Sequence, residues 1–486
     1  MVCLLEEQLT ADAVGRAGEI CLLGNTHESA ADADNRVMAL LEQVAMACAT
    51  EAHEGGKLLC HVLLQSQSLM QMIREEGFRS EIEERLEVCP FTLEDQWSLH
   101  VVQTLDRGGV TVRSERSVHL VIFGLTAMAE QLAVNAAHVC HYPNFVKNRK
   151  LKTRITIIDD DAIARCQTLI QRYQHLFDNS YWRLVDTERQ PAVVKTSRPM
   201  YVDRGDFVDI EWEFVKGKAY DDLVRTKLRQ WSQSAEQLLT VVFAHDDGER
   251  SLNEALHLPM MRAQMEMTDC MMRNADIPVW VYMKSDAAFR QIAHGAGTPH
   301  LLPFGMTDRG YDVGIPYVRM AKTVNYIYSH CRAVETDRGE WTMEYAVEVD
   351  HEEREQLWSR LAFNKRMSSI YNAMGIGVKM RALGLREDDW EKFYDISQEE
   401  IELLSMVEHN RWCVDQLLLG YRPCSDEEQR AVEADISMKD VLKRHKIHYD
   451  LRTYVDLRPD ASGKHVQIYD HCLCACIPLI AKESVK

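Results

Sequence analysis

The residue types best suited to bind a small molecule stand at a turn that follows the apolar run VHLVIFG (118–124). A dinucleotide fingerprint places glycines at such a turn and an acid, which binds a ribose, after the next strand. Here Gly124 is followed by Thr126 and Ala127, and Asp159 stands in the run TRITIIDDD. Threonine crowds the approach of a pyrophosphate, so the turn disfavours intact NAD. Either the turn binds another nucleotide-derived ligand, or it belongs to a Rossmann scaffold that has lost its ligand.

A second group of polar residues follows the run LLTVVFAH. Asp246 and Asp247 stand there, and Asn253 comes a few residues later. Loops at the carboxyl ends of parallel strands bind ligands in such folds, and adjacent carboxylates can take a cation. Asp246 is therefore a candidate for cofactor binding. A solvated loop that caps a helix is the commoner meaning of DDGERS, and we favour it.

A third group lies on a predicted helix near the C-terminus. Glu408, Arg411 and Trp412 are three and four residues apart, so they project from one face, which we expect to turn toward the following loop. An indole can stack on a base and a guanidinium can pair with a phosphate. Four further residues complete this candidate pocket for a nucleotide-like ligand: His409, Arg422, His448 and Tyr449. The alternative is a structural Arg–Glu pair beside a half-buried tryptophan.

Catalytic and metal-binding patterns are not evident in the sequence. It contains no G-x-S-x-G, H-E-x-x-H or P-loop motif, so we expect no enzyme. The alternation of Cys472, Cys474 and Cys476 predicts one face of a buried strand. A metal site shared with His471 is the less favoured alternative, so no metal is expected.

The elements that must position these residues alternate between strands and helices. A strand, a glycine turn, a helix, a strand and an acid open a dinucleotide-type βαβ unit. Further strands are predicted at VDIEWEF, LLTVVFAH and IPVWVYM, with helical segments between them. The pattern predicts an α/β fold with a Rossmann-like parallel sheet that is covered on both faces.

An internal repeat relates the first hundred residues of the chain to a later segment that begins near residue 239. The segment 19–41 resembles 239–258, 57–73 resembles 277–292, and Pro90-Phe91 matches Pro303-Phe304. The first copy holds only the second half of a Rossmann unit, so it is either part of a longer protein, which we favour, or degenerate. Half a parallel sheet exposes an edge, so we expect a homo-oligomer.

Four regions follow from these patterns: a partial Rossmann copy (1–110), a full Rossmann-like domain (111–334), a helical connector (335–396) and a mainly helical C-terminal domain (397–486). The last begins at a capping box formed by Ser397 and Glu400. Gly420 is expected to end its first helix.

Composition limits the possible partners and compartment. The 486 residues carry a formal net charge of −19, which disfavours nucleic acid as a partner. The N-terminus lacks the pattern of a secretory signal, and no run approaches about 18 apolar residues. Fourteen cysteines without a C-x-x-C pair are typical of a reducing cytosol. We expect a cytoplasmic protein, with attachment to the inner face of a membrane through a preceding region or a partner as the alternative.

Two families resemble these segments. The series VIFGLTAMAEQLA, ITIIDDD and VVFAHDDGERSLNEAL resembles the TrkA-N or RCK family, whose Rossmann domains regulate potassium channels and transporters. MVEHNRWCVDQLLLGYRP and the later HYDLRTYVDL resemble the ryanodine-receptor (RyR) repeat domain. The resemblance implies a bacterial ligand sensor that acts on a cation channel or in a stress or defence system. A nicotinamide-dependent oxidoreductase and an assembly scaffold without a ligand remain the alternatives.

Overall fold

The computed structural model describes ten stretches of the chain: residues 11–23, 29–50, 57–199, 206–258, 277–287, 289–291, 301–312, 314–335, 341–458 and 466–484. The extreme N-terminus, and with it the signal-peptide interpretation, lies outside these residues. None of the helices in this portion is long and apolar enough to cross a membrane.

An eight-stranded, mostly parallel sheet forms the largest unit, as the alternating pattern predicts. Its strand order is β11-β10-β9-β4-β5-β8-β6-β7, and only β7 runs antiparallel, to β6. The strands are β4 (Ser117–Phe123), β5 (Thr153–Asp159), β6 (Tyr181–Asp186), β7 (Val193–Ser197), β8 (Ile210–Lys216), β9 (Gln237–Phe243), β10 (Val279–Tyr282) and β11 (Leu301–Phe304).

Central strands of this sheet are apolar along their whole length because helices cover both faces. Ile122, Val241 and Val242 are fully buried in one core that also contains α6. The helices among and after these strands are α6 (Ala127–Val139), α7 (Asn144–Lys147), α8 (Ala162–Arg172), α9 (Gln174–Asp178), α10 (Asp222–Gln233), α11 (Gly248–Leu256) and α12 (Ile315–His330).

The first copy of the repeat forms a separate three-stranded parallel sheet in the order β1-β2-β3. Its elements are α1 (Ala11–Gly15), β1 (Glu19–Leu22), α2 (Ala30–Thr50), β2 (Leu58–Leu63), α3 (Gln67–Glu76), α4 (Ser80–Glu83), β3 (Leu86–Phe91) and α5 (Leu93–Val102). Phe91 pairs with Leu63 as Phe304 pairs with Tyr282, so the predicted alignment of the two copies agrees with strand register.

At the start of the predicted connector (335–396), β12 (Arg332–Glu335) pairs antiparallel with β13 (Trp341–Glu344). The connector continues through α13 (His351–Ser359), α14 (Phe363–Met374), α15 (Ile376–Ala382) and a 3-10 turn, Trp390–Asp395. Helix α14 packs on α3, on α12 and on the C-terminal helix Gln398–Leu418, so this region contacts the small sheet unit, the large domain and the C-terminal region.

The C-terminal region is mainly helical. It contains α16 (Gln398–Leu418), β14 (Arg422–Pro423), α17 (Asp426–Ala434), α18 (Met438–Arg444), β15 (Ile447–His448), α19 (Gln467–Ala475) and α20 (Ile477–Ala481). The predicted capping box is present at the start of α16, and Gly420 follows its end with a φ of +82°.

The predicted cysteine strand is wrong, although the cysteines are buried as expected. Cys472 and Cys474 lie in helix α19, and Cys476 follows its last residue. Because α19 packs against both α12 and α16, its cysteines are buried around more than one face. Five alternating residues cannot distinguish such a helix from a strand.

Candidate functional site

The glycine turn (124–127) lies directly after β4 and contacts the end of β9. Gly124 has a φ of +91°, a left-handed conformation that favours glycine, and its N–H donates to the carbonyl of Ile158 at 2.8 Å. A Cβ atom here would lie 2.9 Å from Nδ1 of His245. Close packing between two strands therefore explains this glycine without a ligand.

The hydroxyl of Thr126 is engaged at the same turn. It donates to the carbonyl of Ala244 at 2.6 Å and accepts the N–H of Ala129, so it caps helix α6, which begins at Ala127. The hydroxyl thus both donates and accepts a hydrogen bond within the protein. It stands where a dinucleotide pyrophosphate would have to approach the backbone closely.

Asp159, the candidate ribose-binding acid, is also bound internally. Its Oδ2 accepts the N–H of Leu125 at 2.9 Å, and its Oδ1 accepts the N–H of Asp161. Arg165 approaches the same carboxylate at 3.2 Å. This carboxylate stabilises the glycine turn, and a ribose would have to compete with those bonds.

The acidic loop after β9 has the geometry of a helix cap. Asp247 accepts the N–H of Glu249 at 2.9 Å and caps the N-terminus of α11, while Asp246 is exposed. Asn253 lies within that helix and not in the loop. Among the residues described, no three His, Cys, Asp or Glu side chains form a possible metal site.

Glu408 and Arg411 do not face the loop that follows α16. Both are buried, and the guanidinium donates to the two carboxylate oxygens at 2.9 and 2.7 Å. Arg411 also donates to Asp415, and Lys379 of α15 lies 2.8 Å from Glu408. The expected ligand-binding face is turned inward because α6 and α14 pack against α16.

This ionic network (Lys379, Glu408, Arg411, Asp415 and His138) extends into the Rossmann-like domain. Nδ1 of His138, on α6, lies 2.6 Å from Asp415. Burial alone would raise the pKa of Glu408, but the charges of Arg411 and Lys379 outweigh it and hold that pKa well below its usual range. The network thus joins α6, α15 and α16 through buried, mostly charged groups.

Trp412 lies in an aromatic cluster (His409, Trp412, Tyr421 and His448) away from that network. Its half-buried indole is 5.6 Å from the ring of His409 and 4.8 Å from that of His448. Burial lowers the pKa of His448 to about 3. His409 is fixed by Asp470 at 3.1 Å and by the carbonyl of Arg452. The candidate pocket is therefore divided into two separate groups.

The remaining two candidates have partners of their own. Arg422 forms a two-pronged pair with Glu428, whose pKa is lowered to about 2 by those hydrogen bonds. Tyr449 is buried beneath the guanidinium of Arg452, 4.2 Å from its ring centre. Neither Arg422 nor Tyr449 forms a hydrogen bond or an ion pair with Glu408 or Arg411 among the contacts described.

A central cavity of about 80 Å³ lies where the small sheet, the large domain and the connector meet. Its wall is formed by β3, α5, α14 and the first turn of α12, with contributions from Glu87, Gln96, Arg366 and Tyr371. One water needs about 10–15 Å³ of such space, so the cavity can hold a small organic molecule. Sequence reasoning missed it because its lining comes from distant segments.

The cavity and the ionic network share a contact. The ring of Tyr371, which lines the cavity, stacks on His138 with ring centres 3.8 Å apart and planes 8° from parallel. His138 in turn contacts Asp415 of the network. A molecule in the cavity would therefore lie one side chain away from the buried charges.

Comparison with known proteins gives no independent guide. No family model, curated protein or solved structure matches the chain.

Proposed function

We propose that this protein is a non-catalytic, ligand-sensing regulatory protein whose ligand binds in the central cavity. The observation that carries the proposal is Tyr371, which lines the cavity on one side and stacks on His138 on the other. A ligand that shifts this ring would alter the hydrogen bond between His138 and Asp415.

The ionic network is suited to pass such a shift to helix α16. Its charges lie in a buried setting, where an altered partner is costly and a small displacement has large energetic consequences. Arg411 connects Asp415 to Glu408, and Glu408 contacts Lys379 of the preceding helix, α15. A bound ligand would shift the population between two arrangements of these charges.

The downstream half of the proposal rests on resemblance. The TrkA-N-like and RyR-like segments support a bacterial cytoplasmic sensor that acts on a cation channel or within a stress or defence system, as a homo-oligomer. They also support a nucleotide-derived ligand. Thr126 and Asp159 are already hydrogen-bonded within the protein, so the glycine turn is less suited to bind such a ligand.

An oxidoreductase is the second candidate, and its main support is the Rossmann-like sheet. The bonds of Thr126 and Asp159 to neighbouring backbone count against nicotinamide binding there. Turnover of NAD by the purified protein would favour the enzyme, whereas an assembly scaffold would bind no small molecule at all.

Hydrogen exchange with a filled cavity tests the proposal without knowledge of the ligand. Val318 lines the cavity from α12, so Val318→Trp places a large side chain in it. We expect amide protection to change in Gln398–Leu418, because α14, which lines the cavity through Tyr371, packs on that helix. Val347→Trp, at a site that is 81% exposed, is the matched control and should leave that helix unchanged. Unchanged protection in both variants would reject the sensing proposal.

A further inference from the structure

Apolar side chains form most of the cavity wall, and they set the character of any ligand. Six of them come from the small sheet unit and from helices α5, α12 and α14: Met70, Val88, Leu99, Ile315, Met367 and Met374. Such a wall favours an aliphatic or aromatic body, and methionines adapt to several shapes.

One buried cation interrupts this apolar wall. Arg366 is 6% exposed, and its Nε donates to the carbonyl of Leu361 at 2.9 Å. One terminal nitrogen donates to the carbonyl of Ser359 at 3.4 Å, and its other terminal nitrogen has no hydrogen-bond partner in the part of the chain that the structure describes. The guanidinium also lies over the ring of Trp358, 5.7 Å from its centre. No carboxylate in the described part of the chain pairs with it, and a buried charge without a counter-ion is costly.

The wall carries two acids, Glu87 and Asp95, and Glu87 is already engaged. Glu87 accepts the indole N–H of Trp358 at 2.8 Å through one oxygen and contacts Lys322 at 2.8 Å through the other. Its negative charge is balanced by that lysine, so Glu87 does not serve as the missing partner of Arg366.

A second donor on the wall is open to a ligand. Oε1 of Gln96 accepts the N–H of Gly314 at 2.5 Å, and this bond fixes the orientation of the amide because a backbone N–H can only donate. The amide nitrogen of Gln96 has no hydrogen-bond partner within the described residues. Arg366 and Gln96 therefore each leave a donor on this wall open to a ligand.

We infer that the cavity binds a small organic acid. Its carboxylate pairs with Arg366, its apolar body lies against the methionine-rich wall, and the amide of Gln96 donates to an oxygen of the ligand. The inference deepens the proposed function and rests on it. For the central cavity, it replaces the nucleotide-derived ligand that the resemblance implies with an organic acid as the class of ligand that the sensor would take.

Three probes separate the charge from the apolar body. Titration calorimetry with hexanoate, 1-hexanol and inorganic phosphate compares the acid with its neutral analogue and with an anion that lacks the body. We expect hexanoate to bind at least about tenfold more tightly than hexanol, since a hydrogen bond to a charged group supports that difference. Equal binding of acid and alcohol, tighter binding of phosphate, or no binding of hexanoate would overturn the inference.

Variants locate the site. Arg366→Met should remove the preference for hexanoate over hexanol, and Arg366→Lys should keep most of it. Arg386→Met, at an exposed arginine that pairs with Asp388, is the matched control and should bind as the wild type does. Should Arg366→Met fail to fold, Val318→Trp decides, because it must abolish hexanoate binding while all wall donors remain. Retained binding in that variant would place the acid elsewhere and reject the inference.

The two proposals fail in different ways. If hexanoate does not bind while Val318→Trp still alters protection in α16, the ligand class is wrong and the sensing proposal stands. If hexanoate binds and α16 does not respond to the filled cavity, the site is real and the sensing proposal is wrong.

Discussion

Replacement of Arg411 by methionine is the sharpest test of the role assigned to the ionic network. Its guanidinium donates twice to Glu408 and once to Asp415, and all three side chains are at most 3% exposed. Removing one partner of a buried pair costs about 3–5 kcal/mol because it strands the opposite charge. Lys379 and His138 keep contact with the two carboxylates, so we expect the lower end, about 3 kcal/mol.

Urea unfolding at neutral pH measures this loss as a change in the free energy of unfolding. Arg386→Met removes an exposed pair, whose side chains are 79% and 61% exposed, and should cost less than about 1 kcal/mol. If Arg411→Met costs no more than this control, Arg411 is not a structural charge, and the nucleotide-pocket interpretation of that helix regains its basis.

The pH dependence of the same variant has a defined sign. The folded-state pKa of Glu408 is lowered, so the wild type keeps its contribution above the unfolded pKa of about 4.5 and loses it as the pH falls further. Without Arg411, less of that contribution exists to be lost. The difference between wild type and variant should therefore shrink below about pH 4.5; a difference that is constant with pH would contradict the assigned ion pair.

Three further predictions follow from other contacts. His448 is buried with a pKa of about 3, so between pH 7 and 5 the unfolded state binds more protons than the folded state, and stability falls as the pH falls. His448→Gln should reduce this loss by about 2 kcal/mol. An unchanged pH profile of the unfolding free energy, measured in urea, would contradict it. Asp159→Ala leaves the N–H of Leu125 without its acceptor and should lower the free energy of unfolding by about 1–3 kcal/mol. Calorimetry should find no micromolar NAD binding in the wild type or in the variant. Micromolar binding in the wild type that is lost in the variant would show that the glycine turn binds NAD. Light scattering should show a dimer or larger species, and a monomer at micromolar concentration would count against the predicted homo-oligomer.

Local signals in the sequence predicted the parts of the fold that depend on neighbouring residues. The buried runs of β4, β5, β9 and β10 and the capping box at Ser397 need only nearby positions to be recognised. Strands β6 and β7 are absent from the predicted set. Val193 and Val194 of β7 are exposed, so that strand lacks an apolar face, whereas β6 is largely buried.

The candidate sites show where local reasoning stops. Helical spacing correctly places Glu408 and Arg411 side by side, but it does not reveal that α6 and α14 cover that face. The central cavity combines β3, α5, α12 and α14, which are far apart in sequence. The burial of Arg366 depends on the same long-range packing, so no local signal in the sequence points to the cavity.

A double-mutant cycle tests most directly whether the cavity and the ionic network act as one unit. Val318→Trp alters the cavity, Arg411→Met alters the network, and unfolding free energies of the wild type, both single variants and the double variant give their interaction energy. Coupling through Tyr371 and His138 predicts an interaction of about 1 kcal/mol or more. Effects that add within about 0.5 kcal/mol would show that the two are independent and would contradict the sensing account.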